Sequence, residues 1–240
     1  MIKPLGRLLK NISNDLFFSG FYPAGDIKSY HLKYWLIFVV NIYLKVYHRV
    51  EVINSEKIPQ AGGAVIASNH TSHLDGIIIN SITAFHTRRK ITFLAAEDVY
   101  NQNFLFKFLC NLGNCIPVKR STSDRVGLLK VIKLLRKDNL VGLFPEGQRS
   151  HDGAIGDGKL GVAIMALKSG VPIIPLAIQG TFEAFPRKTK FVKPVKITLK
   201  FGDALHYDIE NKPSKERIAT VKDEIMNNIK SLHNLSLIHI

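Results

Sequence analysis

From Val50 onward, short apolar runs of strand length alternate with longer stretches that carry a helical period, and this alternation restricts the possible folds sharply. The strand candidates are Ala64–Ser68, Ile91–Ala96, Leu140–Phe144, Ile173–Ile178 and Val195–Phe201. Helices are expected near Ser72–Thr83, Asp98–Cys110, Ser123–Lys137 and Leu160–Ser169, with Lys215–Leu232 as a closing helix. Such alternation predicts a single α/β domain with a central, mostly parallel sheet flanked by helices. At 240 residues the chain is long enough to bury a full core in that form. In Val195–Phe201, Lys196, Thr198 and Lys200 alternate with Val195, Ile197, Leu199 and Phe201, so this strand is expected to have one wet face. There is no internal repeat or low-complexity linker.

The first part of the chain has a different character. Ile2, Leu5, Leu9, Ile12 and Leu16 recur at helical spacing, with Lys3, Arg7 and Lys10 on another face and Pro4 in a first helical turn. A basic amphipathic helix of this kind suits an anionic lipid surface, and it equally suits packing on the domain. Tyr34–Leu44 is apolar except for Asn41 and is flanked by Lys33 and Lys45. It falls short of the roughly 17–25 residues that a bilayer span needs. With Tyr34, Trp35, Tyr43 and Tyr47 as headgroup-level rings, it reads as a helix inserted in one leaflet, with a buried core helix as the competing reading. The expected organisation is a helical membrane-association segment over residues 1–49 and the α/β domain over residues 50–234. Residues 235–240 match the translation of a sequencing-library adapter, so they are set aside as a non-native tail.

A formal charge of +14 and a pI of about 9.8 call for an anionic partner: nucleic acid, an anionic membrane or a phosphorylated substrate. Nucleic acid is disfavoured, because the basic segment with Arg187, Lys188, Lys190, Lys193 and Lys196 has no reading helix and no interleaved aromatic platform. Cys110 and Cys115 supply neither a disulfide framework nor a thiolate zinc site. With no cleavable secretory pattern, a reducing, cytosolic environment is expected.

Three places carry candidate chemistry. The first is Asn69-His70-Thr71-Ser72-His73-Leu74-Asp75. On one ideal helix His70 and Asp75 would point about 140° apart, so they meet only if His70 precedes the helix and Asp75 lies in its first turn. Strand Ala64–Ser68, turn Asn69–Thr71 and an N-cap at Ser72 give that arrangement, with His70 at a strand's carboxyl end, where open α/β sheets bind ligands. Two rival readings stand beside it. Ser72 and Asp75 also form an S-x-x-D capping box, and His70, His73 and Asp75 are metal-ligand types, although their spacing fits no metal motif.

The second is Phe144-Pro145-Glu146-Gly147-Gln148-Arg149-Ser150, again after a strand. Gly147 permits a strained turn, Arg149 can hold a phosphate through paired hydrogen bonds, and Glu146 can bind substrate hydroxyls or fix the arginine. The third is Lys119-Arg120, following the apolar Cys115–Val118, where two cations at a strand end suit phosphate. Gly156-Asp157-Gly158-Lys159-Leu160-Gly161 fits G-x-G-x-x-G, but it follows a polar loop rather than a strand, so a dinucleotide site is not expected.

The order NHTSHLD, CIPVKR, FPEGQRS, VPIIPLAIQG resembles the glycerophospholipid acyltransferase family, whose best-known members are the 1-acylglycerol-3-phosphate acyltransferases. The resemblance covers roughly Val50 to Gly180 and rests on four elements in the right order. It implies His70 as catalytic base and Asp75 as the carboxylate that orients it. It matches Arg120, with Lys119 beside it, to the basic second block, and Glu146, Gly147 and Arg149 to the block associated with the acceptor's glycerol phosphate. Val171, Pro172, Ile173 and Pro175 resemble the fourth block, and Lys159 and Gly161 the K-x-G that follows the third. Gln148 stands where the family usually has threonine, and Lys119 where an acidic residue is frequent, which leaves the acceptor open. The implied activity is a membrane-associated O-acyltransferase on the cytosolic face, using acyl-CoA or acyl-carrier protein and needing no metal or cofactor. The implied acceptor is a lysophospholipid, foremost lysophosphatidic acid. Glycerol 3-phosphate, lyso-ornithine lipid and a non-catalytic lipid binder are the alternatives.

Overall fold

The apolar runs pair side by side and the amphipathic stretches cover them. The computed structural model describes residues 27–101, 107, 110, 114–118, 125–187, 189 and 191–237. Helix α1 (Ile27–Tyr47) leads into β1 (Glu51–Ile53), β2 (Ala64–Ser68), α2 (Leu74–Thr87), β3 (Ile91–Ala96), the single turn α3 (Glu97–Tyr100) and β4 (Ile116–Val118). The chain continues through α4 (Arg125–Leu135), β5 (Leu140–Leu143), α5 (Gly161–Ser169), β6 (Ile173–Gln179), the short α6 (Thr181–Ala184), β7 (Thr198–Phe201) and α7 (Lys215–Leu237). The strands form one seven-stranded sheet in the order β1-β7-β6-β2-β5-β3-β4. Every neighbouring pair is parallel except β6 and β7.

Strand β2 shows why its sequence is apolar up to its closing Ser68. Ala64 and Ile66 belong to a core shared with Ile78, Ile79 and Ile82 of α2. Val65 and Ala67 face a second core built with α4, α5 and α7. Helices cover both faces, so no position in the strand can be polar without cost. Strand β7 departs from the expected alternation. It is shorter than Val195–Phe201, Thr198 is buried and Lys200 is half-buried. The alternation persists in part all the same, with Ile197, Leu199 and Phe201 fully buried and Lys196 exposed. The short edge strand β1 was not among the expected strands, since three residues carry too little periodicity to register. Cys110 and Cys115 are free thiols, and burial pushes Cys115 up to about 12.

Met1–Trp35 and Leu36–Ile240 are separate units. In the first, the amphipathic helix expected from Ile2 to Leu16 lies outside the described residues, which contribute only the opening turns of α1. In the second, α1 is packed on the domain along one side and exposed along the other. Leu44 is buried in the core, and Asn41 donates to Ser81 Oγ of α2 at 2.8 Å. Phe38, Val39, Ile42, Tyr43 and Val46 are exposed. Among the described residues no helix is long and apolar enough to cross a membrane. Helix α7 runs on through Leu237, and residues 238–240 of the tail lie outside the described residues.

Asn69 extends the join between the central strands past their last pairing. Its side-chain amide donates to the Ile178 carbonyl at 2.9 Å and its oxygen accepts from Ile178 N–H at 2.8 Å, all fully buried. Replacing Asn69 with Leu strands both backbone groups, at about 1–3 kcal/mol for each. A urea titration is expected to show that loss without a change in slope. A variant as stable as the wild type would show that the amide is not what closes the sheet here.

Candidate active site

Strand β2 stops at Ser68, Asn69 hooks it to β6, and the chain turns before α2 begins at Leu74. That short turn lets His70 and Asp75 face each other. Asp75 is fully buried, and its Oδ2 accepts from His70 Nδ1 at 2.8 Å, from Thr71 N–H at 2.7 Å and from Ser72 N–H at 2.8 Å. A carboxylate accepts only, so Nδ1 carries the proton of a neutral imidazole and Nε2 keeps its lone pair. Asp75 makes its half of the capping box, to Ser72 N–H, through the same oxygen that orients the imidazole. Ser72 is not the N-cap that the sequence suggests: position 73 caps the helix without a side-chain bond. The Ser72 hydroxyl donates instead to the Phe185 carbonyl at 3.0 Å and accepts from Leu74 N–H at 3.3 Å.

The His70 ring is held from its flat side as well. It stacks on Phe144 with centroids 3.9 Å apart, and Phe144 stacks in turn on Phe93 at 5.5 Å. Phe93 pairs in register with Gly142 of β5, where a Cβ would overlap the Phe93 ring. Gly142 is thus the recess that lets the aromatic stack reach the histidine.

The loop after β5 wraps the other side of His70. Glu146 is buried; its Oε1 accepts from His70 N–H at 2.8 Å and its Oε2 from Gly156 N–H at 2.9 Å. Burial pushes this carboxyl above the usual range, and the amides of Gly156 and His70 pull it only part of the way back. Both oxygens therefore engage backbone: Glu146 braces two loops against the histidine turn. Ser150 N–H donates to the His70 carbonyl at 2.8 Å. Gly147 sits at φ 68°, a left-handed conformation that other residues resist, with the Lys159 side chain packed over it. Residues 154–159 form no strand or helix, and Gly156 serves Glu146, so the G-x-G-x-x-G fit is a bracing loop.

Arg149 is half-buried on this loop, and its carbonyl accepts from Arg187 Nη2 at 2.8 Å. Lys119 and Arg120 lie outside the described residues. His73 is half-buried near the cations: burial foremost, then the charges of Arg149, His70 and Arg187, lower it to about 4 against the opposing pull of Asp75. Among the described residues no group of three His, Cys, Asp or Glu side chains is arranged to hold a metal ion.

Sequence reasoning placed Asn69 and Phe144 in the first and third family blocks without giving either a role, and did not find Thr181 or Arg187 as parts of the site. Thr71 and Thr181 share a hydroxyl–hydroxyl bond at 2.8 Å, which pins the segment after β6 to the histidine turn.

A family model described as acyltransferase matches residues 49–179. The chain belongs to the acyltransferase family. The 1-acyl-sn-glycerol-3-phosphate acyltransferase of Bacillus subtilis (strain 168) is 29% identical over 198 residues, spanning 81% of this acyltransferase and 94% of that protein. The Borreliella burgdorferi protein of the same name is 25% identical over 186 residues, 77% of this chain and 73% of that one. The solved structure of the 1-acyl-sn-glycerophosphate (LPA) acyltransferase from Thermotoga maritima matches with a TM-score of 0.60 at 20% identity, covering 95% of this chain and 88% of that one. That likeness shows a common fold.

Two outcomes follow for the acyltransferase. Gly142→Ala is expected to push Phe93 aside at a cost of about 1–3 kcal/mol. It should also lower acyl transfer by loosening the stack on His70, measured by urea midpoint and thioester turnover together; full activity would show that the stack does not hold the ring. His73 stays neutral in the folded state, whereas the unfolded chain takes up its proton below the ordinary 6.5. Its contribution is therefore present above that value and lost as the pH falls towards about 4. His73→Gln should show a shallower loss of stability than wild type across that window, and equal slopes would refute the assignment.

Proposed function

We propose that this acyltransferase moves a fatty acyl group from the thioester of coenzyme A or acyl-carrier protein to the free hydroxyl of 1-acylglycerol 3-phosphate, forming phosphatidic acid in phospholipid biosynthesis. The carrying observation is the His70–Asp75 pair, closed at 2.8 Å at the carboxyl end of β2, with Arg149 on the loop bonded to the same turn. The relatives named above support the choice of acceptor.

In this reading His70 Nε2 accepts the acceptor's hydroxyl proton while that oxygen bonds to the thioester carbonyl carbon. Asp75 holds the tautomer and stabilises the imidazolium that forms. The tetrahedral intermediate collapses, the carbon–sulfur bond breaks and the departing thiolate takes the proton back from His70. No acyl-enzyme forms, and the chemistry calls for no metal or cofactor. Arg149 holds the acceptor phosphate so that the hydroxyl lies near attack geometry, with Lys119 and Arg120 joining it as the family resemblance implies. Glu146 and Gly147 shape the loop that presents Arg149.

The exposed apolar residues of α1, Phe38, Val39, Ile42, Tyr43 and Val46, support association with a membrane surface, which the proposal places on the cytosolic side. The basic balance of the chain would favour anionic lipid there.

The test is thiol release from palmitoyl-CoA, and from palmitoylated carrier protein, by purified enzyme in lipid vesicles with and without 1-acylglycerol 3-phosphate. Acceptor-dependent release with phosphatidic acid as product is expected. His70→Ala should lower it about 10²–10⁴-fold, and Asp75→Asn about 10⁴-fold. Release without acceptor would mean a thioesterase, and equal rates in wild type and His70→Ala would remove the base from the mechanism.

A further inference from the structure

Arg187 stands in the basic segment that, in sequence, has no connection with the histidine turn. In the folded chain that segment is tied to the site at several points. Thr181 bonds Thr71, the Phe185 carbonyl accepts from Ser72, and Arg187 Nη2 donates to the Arg149 carbonyl at 2.8 Å. Beyond it, Lys193 N–H closes onto the Ala184 carbonyl at 2.8 Å, and Thr189 N–H and hydroxyl both donate to the Pro186 carbonyl. Position 187 is thus held in a loop anchored before and after it.

The guanidinium also has capacity for a ligand. Its Nη1 lies 3.2 Å from His151 Nδ1 and 3.1 Å from Nε2. This contact takes up at most the Nη1 amino group and leaves the rest of the fork. Of the five N–H groups of a guanidinium, one is accounted for by the Arg149 carbonyl. Arg187 is exposed, Arg149 is half-buried beside it, and both act electrostatically on His73, three residues from His70. Two cations held together at a reaction centre fit a doubly charged anion.

We infer that Arg187 is a second arm of the acceptor clamp, which with Arg149 grips the phosphomonoester of the lipid acceptor and selects it over uncharged lipid alcohols. The inference rests on the acyl-transfer reading above and assigns a residue to its acceptor side. The donor is a poorer fit for this place. In 1-acylglycerol 3-phosphate the reacting hydroxyl and the phosphate sit on neighbouring carbons, so a phosphate clamp must lie close to the base. In acyl-CoA the pantetheine arm separates the thioester from every phosphate.

The experiment is calorimetric binding without any thioester, using 1-oleoylglycerol 3-phosphate, uncharged 1-oleoylglycerol, inorganic phosphate and palmitoyl-CoA in separate titrations. Wild type, Arg187→Gln and Arg187→Lys are compared in detergent micelles. Wild type is expected to prefer the phosphorylated lipid. Arg187→Gln should weaken that binding about ten-fold or more, with Arg187→Lys recovering part of the loss. Affinity for the uncharged lipid and for palmitoyl-CoA should not move, nor should the thermal midpoint. Equal weakening of both lipids would make Arg187 a structural tie of the loop and overturn the proposal. So would a loss confined to palmitoyl-CoA, inorganic phosphate binding as tightly as the lipid, or no preference for phosphate in wild type. Arg187-dependent selectivity in a protein that transfers no acyl group to any acceptor would leave the clamp standing and sink the acyl-transfer reading. Acyl transfer with unchanged selectivity in Arg187→Gln would do the reverse.

Discussion

A single oxygen, Oδ2 of Asp75, sets the geometry of this site. It is buried, and it accepts from the His70 ring and from the backbone amides of Thr71 and Ser72. Withdrawing a carboxylate from water costs several kcal/mol unless strong donors meet it. Three N–H donors on one turn meet it here. The same bonds shape the turn, start the helix and orient the imidazole, so the position of the lone pair on Nε2 follows from folding itself. Neither the turn nor the imidazole would be placed without the carboxylate.

Glu146 extends that logic to a second loop. It too is buried and too far inside to be a flexible ligand; its oxygens bind the amide of His70 and that of Gly156. Burial favours its neutral form, whereas the amides favour the charged one, and burial wins. This carboxyl is therefore the part of the brace most easily protonated as the pH falls, and protonation would turn an acceptor oxygen into a donor facing an N–H. Arg149 follows Glu146 on the same loop, so a fault in the brace reaches the residue that would hold the acceptor phosphate.

Much of this was legible in the sequence, for a clear reason. Apolar runs buried on both faces, such as Ala64–Ser68 and Ile91–Ala96, announce themselves without knowledge of their neighbours, and both appear with the bounds expected. The His70–Asp75 meeting was also readable, because it depends on a turn only a few residues long. What stayed hidden depends on distant parts of the chain. Ser72 reads as a cap until the Phe185 carbonyl, 113 residues away, takes its hydroxyl. The role of Gly142 as a recess for the Phe93 ring has no sign in the strand's own pattern. Glu146 reads as a group for substrate hydroxyls or for the arginine, because sequence cannot show which backbone amides will close on it.

The one antiparallel pair in the sheet has a consequence for the site. In a parallel connection the chain leaves the carboxyl end of one strand and must return to the opposite edge before the next begins. From β6 to β7 it does not: Gln179, at the end of β6, is in register with Thr198, at the start of β7. The connection therefore leaves and re-enters the sheet at the end where β2 delivers His70 and β5 delivers Glu146. Thr181, Phe185 and Arg187 reach the histidine turn and the Arg149 loop because of that reversal. A sheet parallel throughout would have carried those residues away over its face. The break in strand direction, which sequence pattern did not reveal, is thus what gives the site its third wall.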